Sequence, residues 1–319
     1  MQAIDYIIDV RSPREFENSH IPNALNLPIF SNSEYEKIGI MYKDSPLEAS
    51  FYASILACKN VASIIESNRG LFNHKNKFLI YCARGGKRSF ALYSVLDSIK
   101  LRVERLSGGY KAYRNEVVSM LSSKINQKFL TLCGNTGCGK SELIRMHSSW
   151  SIDLEGLAKH YGSAFGGILG KQPSFKMFQN LLYEELRAKR SDVLLIESES
   201  KKLGELIIPS PLYSAYQESK KILIKASFDV RIERVMRMYK NINEIQFLSS
   251  LLKIKNYIGQ KLYKEILKNW ENRNLEEIAS ILLKYYDRVY KKINCDYEID
   301  ASNLENAYFE IDSIRENLN

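Results

Sequence analysis

Two short stretches of this chain gather the side chains that hold and attack anions. In Tyr81-Cys82-Ala83-Arg84-Gly85-Gly86-Lys87-Arg88-Ser89, one cysteine precedes three cations, two glycines and the start of a helical pattern. Nearby cations, freed backbone N–H groups and a helix N-terminus each favour thiolate over thiol, so Cys82 is expected to be ionised and nucleophilic. Arg84, Gly85, Gly86, Lys87, Arg88 and Ser89 are its expected anion cradle. Cys58 lies on a helical pattern without such neighbours and is expected to be buried and structural.

The second stretch, Gly134-Asn135-Thr136-Gly137-Cys138-Gly139-Lys140-Ser141, matches G-x-x-x-x-G-K-S in full. Its glycines let backbone N–H groups turn toward an anion, Lys140 adds a cation, and the following helix adds its positive end. Ser141 could hold Mg²⁺ through its hydroxyl. The pattern specifies phosphate or diphosphate without specifying ATP. Glu197 ends a later strand, where such folds place an acidic residue that organises a metal. Cys133 and Cys138 are expected beside or within the loop, and Cys295 has no legible chemical context. The spacing Cys82-x5-Arg88-Ser89 suits either of two chemistries. It fits a Cys-dependent phosphatase fused to a nucleotide-binding module, or a rhodanese-type sulfurtransferase that carries a persulfide. Tyr81 stands where tyrosine phosphatases usually have histidine.

Alternating strands and helices must position these loops. Tyr6–Val10 reads as a buried strand, Pro13 opens a helical turn, and Ala24–Leu27 is a second strand. Leu47–Ser67 has helical periodicity, Phe78–Tyr81 is an apolar run of strand length, and Ser89–Leu96 is helical. Gly108-Gly109 is a turn before a closing helix. A second start follows at Phe129–Cys133, with later strands at Val193–Ile196 and Ile222–Ile224; from Asp229 onward the pattern is almost wholly helical. Such alternation predicts parallel α/β sheets. The expected domains are 1–124 and 125–319, the second carrying a helical, basic segment over 220–292.

Composition narrows the classes further. At 319 residues, two domains are expected. With 45% hydrophobic and 26% charged residues the chain is ordinary for a soluble protein. No apolar run reaches membrane-spanning length, and Met1–Asp9 lacks the pattern of a secretory signal. Five scattered cysteines fit a reducing compartment, so a cytoplasmic location is expected. No C-x-x-C or H-x3-H pair suggests a metal site. Of the net charge of +9, much is concentrated in 220–292, which has 17 Lys and Arg against 8 Asp and Glu. Tyr239, Tyr257, Tyr263, Trp270, Tyr285, Tyr286 and Tyr290 lie among those charges. That mixture suits an RNA partner, and by charge alone it equally suits a solvated helical face.

Further motifs connect the two loops. Asp9-Val10-Arg11-Ser12-Pro13-Arg14-Glu15-Phe16 with His20-Ile21-Pro22-Asn23-Ala24 resembles the opening of a rhodanese domain, and Gly108-Gly109-Tyr110-Lys111-Ala112-Tyr113-Arg114 resembles a domain junction. Asp153-Leu154-Glu155-Gly156-Leu157-Ala158, Gly162–Gly166, Glu197-Ser198-Glu199-Ser200, Arg231 and Arg234 follow in order. Together these resemble the bacterial tRNA 2-selenouridine synthases, through about residue 240. Ala83 replaces a tryptophan usual in the cysteine loop of that family, and Ser19 stands where glycine commonly precedes the histidine. The resemblance implies an N-terminal rhodanese-like domain and a C-terminal P-loop NTPase-like domain. It also implies exchange of sulfur for selenium at C2 of wobble 2-thiouridine in tRNA, with selenophosphate as donor, by way of an S-geranyl intermediate made from geranyl diphosphate. Asp9, Arg11, Asp153, Glu197, Arg231 and Arg234 would then support the two loops. No tightly bound cofactor is implied, and the expected partners are tRNA and the enzyme that produces selenophosphate.

Overall fold

The computed structural model describes residues 4–289 and 293–318, and the chain divides into two compact units. One comprises 1–120 with 179–181, the other 121–178 with 182–319. Tyr290 lies outside the described residues.

In the first unit the elements are β1 (Tyr6–Asp9), α1 (Pro13–Asn18), β2 (Ala24–Asn26), α2 (Asn32–Asp44), α3 (Pro46–Ser67), β3 (Lys77–Tyr81), α4 (Lys87–Ser98), β4 (Arg102–Arg105) and α5 (Gly109–Ser122). The strands form one parallel sheet in the order β2-β1-β3-β4. Ile8, Val10, Phe78, Ile80, Leu92 and Leu96 pack into its core. Burying these apolar groups on both faces is what makes short Ile/Phe/Leu runs into central strands. Strand β4 is one of the two edges; its sequence Arg-Val-Glu-Arg has no apolar run, which is why periodicity misses it. Helix α2 escapes the pattern for a similar reason, since it has no buried residue and is marked chiefly by its Ser31–Glu34 capping box. Cys58 on α3 is exposed, which corrects the expectation of a buried structural cysteine.

The second unit continues with β5 (Lys128–Cys133), α6 (Lys140–Met146), β6 (Ser151–Ile152), α7 (Leu154–Ala158), α8 (Phe175–Ala188), β7 (Val193–Glu197), β8 (Lys202–Leu203), β9 (Leu206–Ile207), α9 (Ser210–Gln217) and β10 (Lys220–Lys225). It closes with α10 (Phe228–Met238), α11 (Glu244–Glu271), α12 (Leu275–Val289), β11 (Tyr297–Asp300) and α13 (Leu304–Glu316). Five of these strands form a parallel sheet, β11-β10-β5-β7-β6; β8 and β9 make a separate hairpin. Strand β11 corrects the expectation of an almost wholly helical tail. It adds beside β10 with Ile222 opposite Tyr297, and Asp296 pairs with Lys220 at 2.7 Å while Glu298 pairs with Lys225. The acidic tail thus takes up part of the charge counted in 220–292.

Helix α11 is interrupted at Gly259, whose φ of 78° and ψ of 162° lie outside the helical region. Along a straight helix, Phe247 and Trp270 would stand about 34 Å apart, at 1.5 Å per residue. Their rings instead stack with centroids 3.9 Å apart. The two halves therefore fold back on one another at Gly259, enclosing an apolar core with Leu251, Ile254, Ile266 and Ile278.

Candidate functional site

Each chemical loop follows the carboxyl end of a central strand, where parallel sheets leave room for a ligand. Cys82 follows β3 directly, and Gly86 caps α4. The Gly86 N–H donates to Cys82 Sγ at 3.2 Å, and Ser89 Oγ lies 3.3 Å from the sulfur. Burial alone would raise the thiol's pKa. The Ser89 hydroxyl, the Ser89 and Arg84 backbone N–H groups and the charge of Arg88 outweigh it, so the pKa is lowered. Cys82 is only 3% exposed.

The cations contribute less directly than their spacing suggests. Arg84 and Lys87 are exposed, and the Arg88 guanidinium is committed to Glu15, with a shorter contact of 2.6 Å, beneath the ring of Tyr35. Glu15 also accepts from the Ser12 N–H, so one carboxylate both caps α1 and orients Arg88. The backbone of the loop is held from below by the start of α5. Tyr110 N–H donates to Cys82 O and Lys111 N–H to Ala83 O, each at 2.9 Å. Gly109, at φ 59°, permits this approach: a Cβ there would sit 2.3 Å from Cys82 O. The glycine pair read as a turn is therefore part of the cysteine loop's support. Asp9 and Arg11 form a buried ion pair at 2.6 Å, with Arg11 also donating to Ser19 O and stacking 3.9 Å from the Tyr110 ring. Their role in the fold is to hold the end of β1 and the start of α5.

The phosphate loop joins β5 to α6. Arg231 donates to Thr136 O at 2.9 Å and pairs with Asp287 at 2.6 Å, while Arg234 donates to Cys138 O at 2.9 Å and to Ala301 O. Asn135 also donates to Asp287. The two buried arginines take hold of the loop's carbonyl side. Gly139 at φ 106° lets Arg234 lie close, since a Cβ would come 2.9 Å from its guanidinium. Lys140 Nζ donates to Gly134 O at 2.7 Å, and Ser141 Oγ donates to Glu155 at 2.5 Å. Cys133 and Cys138 are both buried here.

Gly134, Thr136, Gly139, Lys140 and Ser141 line a cleft of about 180 Å³ with Gly137, Glu155, Tyr161, Ser163, Glu199 and Tyr239. The acids lining the cleft are Glu142, Glu155 and Glu199; Glu197, expected there from its strand, is fully buried and accepts the Glu155 N–H at 2.8 Å. Burial, then repulsion from Glu155 and Glu199, holds the Glu197 carboxyl well above the usual range. Burial and Glu155 also push Glu199 up to about 7. Asp153 caps α7 by accepting the Gly156 N–H and does not line the cleft. Glu155 and Glu199 stand inside quoted motifs, but nothing local distinguishes them from Asp153 or Glu197. Among the described residues, no group of three His, Cys, Asp or Glu could hold a metal ion.

The aromatic residues of the basic segment divide. Tyr257 is 77% exposed, whereas Trp270 is buried against Phe247 and Tyr239 lines the cleft. Among the described residues, no helix is long and apolar enough to cross a membrane.

Two family models match the chain: a rhodanese-like domain over residues 1–116, and the AAA domain of tRNA 2-selenouridine synthase over 127–301. A tRNA 2-selenouridine synthase of Shewanella denitrificans is 30% identical, over 92% of this chain and 88% of its own. One from a Sulfurovum species is 31% identical over 93% and 89%. A solved N-terminal domain from Clostridium difficile 630 is 38% identical, over 35% of this chain and 88% of that one, at a TM-score of 0.33.

Proposed function

The chain belongs to the tRNA 2-selenouridine synthase family, and from that premise we propose that it replaces the sulfur of wobble 2-thiouridine in tRNA by selenium, using its two anion loops for separate steps. In the first, geranyl diphosphate occupies the cleft at Gly134–Ser141. The thiocarbonyl sulfur attacks C1 of the prenyl chain, and the C–O bond electrons leave on diphosphate. Loss of the N3 proton gives neutral S-geranyl-2-thiouridine. Lys140 and the loop N–H groups favour this step by stabilising the departing charge. Mg²⁺ arriving on the diphosphate would meet the oxygens of Ser141 and Glu155, hard donors of the kind it prefers.

In the second step selenophosphate enters the cysteine loop. The Cys82 thiolate attacks phosphorus; the S–P bond forms, and the P–Se bond breaks with its electrons on selenium. The hydroselenide released adds to C2 and expels geranylthiolate, which takes up a proton. Water then cleaves the S–P bond, giving phosphate and restoring the thiolate. A perselenide on Cys82 would require removal of two electrons, and no acceptor takes part. The observation that carries this reading is the placement of the Cys82 sulfur at the N-terminus of α4, 3.2 Å from the Gly86 N–H and 3.3 Å from Ser89 Oγ. Exposed cations of 220–289 would meet the tRNA backbone, and the donor would come from a selenophosphate-producing enzyme.

The experiment is to treat tRNA bearing 2-thiouridine with purified protein and both donors, and to analyse the nucleosides by mass spectrometry. In parallel, protein given selenophosphate without tRNA should gain one phosphoryl group at Cys82. A 2-selenouridine product with no dependence on Cys82 would overturn the second step.

A further inference from the structure

The phosphate cleft opens on a second space whose walls are almost entirely carbon. Val235, Phe247, Trp270, Leu275, Ile278 and Leu282 line it, and Thr136, Ser163 and Tyr239 border both it and the cleft. Ser163 Oγ and Tyr239 OH lie 3.4 Å apart at this shared neck. An anion held by Lys140 would therefore have its next atoms at the neck and anything longer among hydrocarbon walls. A nucleobase would find few partners for its polar edges there, and buried polar groups without partners are costly. An alkyl chain needs none and gains from burial.

We infer that this chamber binds the hydrocarbon chain of the diphosphate donor, and that the stacked pair Phe247–Trp270, brought together by the chain reversal at Gly259, is the wall that limits chain length. The inference deepens the prenyl-donor reading above and rests on it. Phe247 is flanked by Phe165, 5.9 Å away between ring centroids, so the wall is a rigid aromatic cluster. Ala279 also lines the chamber with a minimal side chain, so a larger residue there would occupy the space directly.

The test measures equilibrium binding, by calorimetry on the full-length protein, of inorganic diphosphate and of C5, C10 and C15 prenyl diphosphates. Burial is worth roughly fourfold per methylene-sized group, so with five more carbons the C10 donor should bind the wild type up to about 1,000-fold more tightly than the C5 donor. Trp270→Ala should move the preference toward C15 by about tenfold or more relative to C10. Ala279→Phe should remove most of the gain of C10 over C5. Inorganic diphosphate should bind all three proteins alike, which also shows that the phosphate loop is folded. If the wild type prefers C10 and both variants keep its ranking, the chamber assignment falls and the donor reading stands. If no prenyl diphosphate outbinds inorganic diphosphate in the wild type, both fall. If Ala279→Phe weakens ATP while leaving the prenyl series unchanged, the chamber holds a base and the inference is overturned.

Discussion

The cysteine loop and the phosphate loop are built alike and work differently. Both run from the end of a parallel strand into the N-terminus of a helix, and both need glycine where backbone or a guanidinium comes close. In the cysteine loop the reactive atom is a sulfur, which accepts from the Gly86 N–H and lies 3.3 Å from the Ser89 hydroxyl. Arg88, in the first turn of α4, is held in an ion pair with Glu15. Among the described residues no cysteine lines the cleft of the phosphate loop; Lys140 does, and the two arginines grip the carbonyl side from behind. On the proposed function, the same scaffold makes a nucleophile in one unit and a receptacle for a leaving group in the other. What differs is which charged groups are locked away.

The largest effect should come from Cys82→Ser. Serine nearly keeps the volume but is not ionised near neutrality, so 2-selenouridine should fall by about 10³-fold or more while S-geranyl-2-thiouridine still forms. Nucleoside mass spectrometry reads both products, and loss of both together would show the two loops are not separable. Lys140→Ala should do the reverse: at limiting geranyl diphosphate, geranylation should drop by about 100-fold, while Cys82 alkylates at its normal rate. Unchanged geranylation would assign the loop to another ligand.

Gly109→Ala tests the support beneath the cysteine. Its Cβ would press on Cys82 O in a left-handed backbone, so a loss of about 3 kcal/mol is expected in denaturant unfolding, with slower alkylation of Cys82. Ser89→Ala and Arg88→Gln separate contact from distance. Both should raise the pH midpoint of Cys82 alkylation, Ser89→Ala by more, because the hydroxyl's effect on the thiol outweighs that of the more distant Arg88 charge. An equal or reversed order would mean Arg88 turns toward the sulfur in solution.

The smallest effect concerns Glu199, whose carboxyl is pushed up to about 7. Below that pH it is neutral; above it, the carboxylate repels an anion in the cleft. Affinity for inorganic diphosphate should therefore weaken several-fold as pH rises through about 7, relative to Glu199→Gln, which removes the titrating charge. Parallel pH profiles for the two proteins would place Glu199 outside the anion's reach.

Contiguous residues carried most of what could be read without coordinates. β3 with Cys82 and the start of α4, and β5 with Gly134–Ser141 and α6, each compress strand, loop and helix into about a dozen neighbouring positions, so backbone preference and chemistry are written together. The parallel sheets followed from the same local runs. Tertiary structure alone decided the rest. Glu15 meets Arg88 across 73 positions, Arg231 meets Thr136 across 95, and β11 reaches β10 from the far end of a helical tail. Whether Glu155 or Glu197 faces the cleft depends on which carboxylate the sheet buries, and Trp270 joins a hydrophobic wall because one glycine reverses a helix. Local sequence sets backbone geometry and side-chain chemistry, but long-range packing determines which charges are desolvated and paired. That pairing is what separates a reactive or ligand-facing group from one that only holds the fold.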